Sequence, residues 1–227
     1  MSKPESRGSH AFLLAAFLNA FIDLGHKIIL QNTAFKMYGG TTQVVLTALI
    51  NAMMLLPFIL LVMPAGLMSD RYPRIAVMRR CGQAAVACCA LIMVFYYLGW
   101  FLPALLMTLA LAIQATLYSP AKYGILTELL PPEQLVVANG WIEGLTVLSI
   151  VIGTVMGGIL IGPKVSAMML AFDFPYIDTG VDTPAEAAIL MIAFVYLIAA
   201  LFNLAIPDTG ARYSHQERNP VRLVLDF

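Results

Sequence analysis

Six stretches of this chain, at about 11–35, 43–64, 80–98, 101–119, 138–162 and 186–206, are each long and apolar enough to cross a lipid bilayer. A hydrocarbon core about 30 Å thick is spanned by about 20 helical residues. Backbone amides have no partner in lipid, so each stretch must satisfy its own hydrogen bonds. The alternating pattern of barrel strands is absent, and helices are the expected solution. Gly39-Gly40, Gly99 and Pro131-Pro132 punctuate the runs. Composition agrees: 60% of residues are hydrophobic, 11% are charged and mean hydropathy is +0.84. Soluble domains hold about 45–50% apolar and about 25% charged residues. Lys3 and Arg7 ahead of Ala11–Ile22 are laid out like a signal peptide, but the run continues into Asp23, His26 and Lys27 without a small-residue cleavage site. The first stretch therefore reads as a retained span. The fold class expected is an all-α membrane protein built as a six-transmembrane-helix bundle.

The 13 basic and 13 acidic residues cancel, so net charge offers no argument for a nucleic-acid partner. Their distribution is informative. With a cytoplasmic N-terminus, that side receives Lys3, Arg7, Arg71, Arg74, Arg79, Arg80, Lys122, Arg212, Arg218 and Arg222, and the other receives Lys36 and Lys164. The excess of cytoplasmic Lys and Arg that orients membrane proteins places both termini inside. The outer loop 163–185 is acidic instead, with Asp173, Asp178 and Asp182. Cys81, Cys88 and Cys89 lie within one apolar run and read as packing residues, with no metal site expected.

Charged residues at membrane depth are costly, so each calls for a reason. Asn19, Asp23, His26 and Lys27 share one face of the first span. That face either lines a polar cavity that meets a substrate or coupling ion, or holds Asp23 and Lys27 as a self-neutralising pair at i, i+4. His26 reads either as part of that site or as a packed, hydrogen-bonded residue. In the fifth span Asn139 and Glu143 share a face, and Glu143 is either a ligand contact or a solvated carboxylate. Gly140 and Gly144, then Gly153 and Gly157, give the small-residue spacing that lets helices approach closely. Pro120 near the end of the fourth span is expected to kink it. Lys122 beside it either binds an anionic group or snorkels to the interface.

Between the second and third spans runs Gly66-Leu67-Met68-Ser69-Asp70-Arg71-Tyr72-Pro73-Arg74. It resembles the G-x-L-A-D-R-x-G-R loop of the major facilitator superfamily. Gly66, Asp70, Arg71 and Arg74 match, and Pro73 replaces the second glycine. Gly66 would permit close helix contact, and the acid with its arginines would form a charge cluster that locks one conformation and breaks in another. More narrowly the chain is similar to lysophospholipid transporters. The resemblance rests on Phe21-Ile22-Asp23, the loop from Gly66, Tyr118–Leu126, and Ala138-Asn139-Gly140 with Glu143, and covers nearly all of 10–206. Leu24 stands where that family has Asn, so carry-over in the first span stops at Asp23.

The resemblance implies half of a major facilitator fold: a short cytoplasmic segment 1–10, the six-helix bundle 11–206, and a cytoplasmic linker 207–227 ending before a second half. It implies a bacterial inner-membrane carrier that takes lysophospholipid to the cytoplasmic leaflet by alternating access, with Asp23 facing an ammonium and Lys122 a phosphate. No cofactor is expected. The implied partners are the lipid substrate, the missing C-terminal six-helix half, and acyltransferase or acyl-carrier-protein ligase domains of the kind fused to similar transporters. A carrier of another small molecule and a truncated, non-transporting remnant are the competing readings. A membrane enzyme is disfavoured because no nucleophile–base pair or His-x4-Asp acyltransferase pattern occurs.

Overall fold

The computed structural model describes residues 3–162, 183–206 and 208–210, with side chains from Ala11 onward, Pro184 excepted. The acidic residues 173, 178 and 182, Lys164, Arg212, Arg218, Arg222, and the side chains of Lys3 and Arg7 lie outside what is described. The elements are α1 (Lys3–Met37), α2 (Gly40–Arg71), α3 (Arg74–Tyr97), α4 (Phe101–Gly124), a single turn α5 (Leu126–Leu129), α6 (Pro132–Leu160) and α7 (Pro184–Ala205). Six of these are long and apolar enough to cross a membrane. The chain is a multi-pass membrane protein, and no strand occurs among the described residues.

Helix ends follow local chemistry rather than hydropathy. Helix α3 starts at Arg74, behind Pro73 as its cap, six residues ahead of the expected start at 80. Its first two turns are helical but carry Arg74, Arg79 and Arg80, so the apolar signal begins late. Helix α6 likewise begins at Pro132, where a fixed φ suits the first turn and no amide is lost. Thr183 and Glu186 cap α7 reciprocally: the Thr183 hydroxyl accepts from the Glu186 amide at 3.3 Å, and the Glu186 carboxylate from the Thr183 amide at 2.9 Å. Pro120 does not end α4, which continues to Gly124.

Helix α1 packs against α6 and α7, α4 against α2 and α3, and α3 against α7. Exchanging the first three spans for the last three maps this pattern onto itself: α1–α6 becomes α4–α2, α1–α7 becomes α4–α3, and α3–α7 is unchanged. The strongest helix pairings thus repeat between the first three spans and the last three. Gly153 and Gly157 make the α1–α6 contact. A Cβ on Gly153 would collide with the carbonyl oxygen of Phe21, and one on Gly157 would lie 2.7 Å from that of Gly25. Even alanine would force the helices apart. Gly66, Gly140 and Gly144 have open space where a Cβ would be. The close contact expected at Gly66 is thus not made with any described residue.

Two apolar cores fill the bundle. One, with Ile29, Ile92, Phe101 and Ile189, lies toward the end bearing Lys36. The other, with Phe12, Met78, Ile125 and Ile206, lies toward the arginine-rich end. Buried polar side chains interrupt these cores: Gln114 on α4, Ser149 on α6, and Asn203 on α7, which accepts a hydrogen bond from the Tyr118 hydroxyl at 3.0 Å. Helices α2 and α6 are the least buried spans and present large apolar side chains outward, among them Leu55, Ile59, Val147 and Val151.

Candidate functional site

A cavity of about 220 Å³ is walled by α1, α2, α4 and α6. Asn19 and Asp23 reach it from α1, Gln114, Tyr118, Ser119 and Lys122 from α4, and Thr146 from α6. Phe58, Ala115 and Ile150 supply apolar wall. A second space of about 120 Å³ shares Asp23, Leu24, Phe58 and Ala115 with it and adds His26 and Tyr196. The two are contiguous around the Asp23 carboxylate.

Asp23 accepts a hydrogen bond of 2.5 Å from the Tyr196 hydroxyl, which α7 holds almost fully buried. Lys27 forms no ion pair among the described residues. The self-neutralising Asp23–Lys27 pair is therefore not formed. The cation that shares the cavity with Asp23 is Lys122, on the opposite wall. Lys122 is buried, at 8% exposure, with its ammonium 4.6 Å from the Tyr123 ring centroid. It points into the bundle rather than snorkelling outward. Tyr123 in turn donates a hydrogen bond to Glu143.

His26 is buried at 1% exposure, with Nε2 3.0 Å from Thr108 Oγ1. The Thr108 hydroxyl donates to the Ala104 carbonyl at 3.1 Å. Its oxygen is then the acceptor, so the imidazole carries its proton on Nε2 and leaves Nδ1 as an unprotonated acceptor. That nitrogen has no hydrogen-bond partner among the described residues.

The other residues singled out in the sequence lie elsewhere. Gly153 stands against Phe21 and Gly157 against Gly25, so α1 and α6 run parallel with a constant register. On that register Asn139 is level with residue 7, sixteen residues from Asp23, or about 24 Å along the axis. Asn139 is exposed and away from the cavity. Glu143, level with residue 11, touches the site only through Tyr123. Tyr196 was missed, since a lone tyrosine in an apolar run looks like packing. Gln114 and Tyr118 were missed too, although Gln114, Tyr118 and Lys122 step by four along one face of α4.

At the arginine-rich end, Arg74 gathers three elements. Nη1 donates to the Gly124 carbonyl at 2.6 Å, to Thr127 Oγ1 at 3.0 Å and to Glu128 at 3.2 Å. Nη2 lies 3.5 Å from Asp70, whose side chain is 75% exposed. The other Glu128 oxygen accepts from Thr209 at 2.5 Å, just past the end of α7. Gly124 leaves room for the guanidinium, since a Cβ there would fall 2.5 Å from Arg74 Nε. Arg71 is exposed and takes no part in these contacts.

No family model matches the chain. A lysophospholipid transporter from Photorhabdus laumondii is 30% identical over 226 residues, covering 98% of this chain and 48% of that protein. Lysophospholipid transporters from Yersinia pestis and Yersinia pseudotuberculosis are 38% identical over 113 residues, 50% of this chain and 23% of theirs. Among solved structures, a bacterial homologue of the human lysosomal transporter Spinster, in an inward-facing and unoccupied conformation, superposes with a TM-score of 0.63. That match has 18% identity and covers 96% of this chain and 46% of the other. The chain thus spans about half the length of the relatives it matches.

Proposed function

We propose that this chain, homologous to the lysophospholipid transporters and built as one six-helix half of a major facilitator fold, moves lysophospholipid across the bacterial inner membrane by alternating access. The observation that carries this reading is the cavity with Asp23 and Lys122 on facing walls and apolar side chains around them. A lysophospholipid headgroup such as that of lysophosphatidylethanolamine carries an ammonium and a phosphate, and its tail requires apolar surface. Asp23 suits the first, Lys122 the second, and Phe58 and Ile150 the tail. The cavity volume of about 220 Å³ falls below the roughly 300–1,000 Å³ usual for small-molecule sites. That is the size expected of one wall of a site whose other wall is a second six-helix half. The outward apolar faces of α2 and α6 suit the same partner. Acyltransferase or acyl-carrier-protein ligase domains would then consume the delivered lipid.

Transport is tested with labelled lysophosphatidylethanolamine in proteoliposomes of the full-length protein. Uptake is expected to be competed by other lysophospholipids and not by glycerophosphoethanolamine, which lacks a tail. Equal competition by the tail-free compound would favour a carrier of another polar solute. Orientation has its own test. A single cysteine introduced at Tyr72 is expected to react only from the cytoplasm, and one at Tyr38 with external reagent. The reverse pattern would invert the topology.

A further inference from the structure

A larger cavity, of about 580 Å³, is lined by α2, α3 and α4. It occupies the wedge between the arginine-rich ends of α2 and α3, which barely touch, with α4 as its floor. Its walls are almost wholly apolar, with Met68, Val77, Ala84 and Leu117. Two features are not. Arg80 stands at the edge, exposed and without an acidic partner among the described residues. Gln114, buried on α4, closes the inner end and also lines the central cavity.

We infer that this groove binds an anionic glycerophospholipid of the adjacent leaflet, with an acyl chain between α2 and α3 and its phosphate on Arg80. Depth supports this occupant. Gln114 lies ten residues before the end of α4 at Gly124, about 15 Å at 1.5 Å per residue. Half of a hydrocarbon core about 30 Å thick is the same length. The groove is therefore one leaflet deep, apolar along its length and cationic where a headgroup would lie. Basic pockets between helices at the interfacial level are where anionic lipid headgroups bind. Tyr72, half exposed at the mouth, has the amphipathic ring that favours that level. A wholly apolar peptide or helix would leave Arg80 without a counterion, whereas a phospholipid brings an acyl chain and a phosphate at this spacing. The inference does not depend on what the central cavity carries.

The test is native mass spectrometry of the full-length protein released from detergent with phosphatidylglycerol or phosphatidylcholine as probe. Wild type is expected to retain phosphatidylglycerol in preference to phosphatidylcholine. Arg80→Gln should weaken retention about tenfold, the loss of one charge-assisted hydrogen bond. Ala84→Trp should displace the lipid by filling the groove from an exposed position. Arg71→Gln, at the same end but outside the groove, should leave phosphatidylglycerol retention as in wild type. Wild-type retention by Arg80→Gln overturns the site, and so does an equal loss in Arg71→Gln, which would mean general attraction to a basic surface. Should the tryptophan prevent folding, the two arginine variants decide the question.

Discussion

Asp23→Ala and Lys122→Ala are each expected to reduce lysophospholipid transport by more than tenfold, with normal amounts of folded protein. An acid in mid-span is penalised by about 2.5–3.5 kcal/mol on insertion scales, so Asp23 must be compensated. The Tyr196 hydroxyl supplies one hydrogen bond, and Lys122 is the cation on the facing wall of the same cavity. Lys122 has no carboxylate within ion-pair distance among the described residues, so it is open to an anionic ligand. Removing one charge from a desolvated contact typically costs about 2–5 kcal/mol, and about 1.4 kcal/mol is already tenfold. The two substitutions act on one bound headgroup, so the double variant should be scarcely worse than either single one. Lys27→Ala should transport nearly as wild type, because Lys27 pairs with nothing described. Wild-type transport by both Asp23→Ala and Lys122→Ala would show the charges to be structural. Loss of folded protein in Lys27→Ala alone would restore the local pair.

The residues of this site were unequally legible in the sequence. Six spans, their boundaries within several residues and the inward face of α1 all follow from hydropathy and a four-residue step. Asp23 and Lys122 stand out because charge at membrane depth is rare. What the sequence leaves open is depth and neighbour. A shared face fixes an angle around one helix and says nothing of which helix lies opposite. Asn139 shares a face with Glu143, yet the register set by Gly153 and Gly157 puts it about 24 Å from Asp23 along the axis. Tyr196 becomes meaningful only once α7 lies beside α1. The groove at Arg80 could not be read at all, because it exists only where α2 and α3 fail to meet.

Arg74→Ala should be the most damaging substitution at the arginine-rich end, ahead of Glu128→Gln, with Asp70→Asn weakest. The loop motif draws attention first to Asp70, but the contacts rank otherwise. The Asp70 pair spans 3.5 Å with the carboxylate 75% exposed, and exposed pairs contribute about 0–1 kcal/mol. Arg74 instead satisfies the Gly124 carbonyl at the end of α4 and holds Thr127 and Glu128. Through Glu128 it reaches Thr209 beyond α7. One guanidinium thereby joins the α2–α3 loop, the end of α4 and the segment after the sixth span. Such a cluster is where a rocking half-bundle would be held in one state and released in another. Arg74→Ala is expected to lower transport at least tenfold and to raise labelling of a cysteine at Ser119 from the arginine-rich side. Arg74→Lys should restore little, since an ammonium lacks the planar fork that addresses several oxygens at once. Asp70→Asn should lower the rate less than fivefold. If Asp70→Asn instead matches Arg74→Ala in a folded protein, the essential partner of Asp70 lies outside these six helices, and the cluster around Glu128 serves only to tie the ends together.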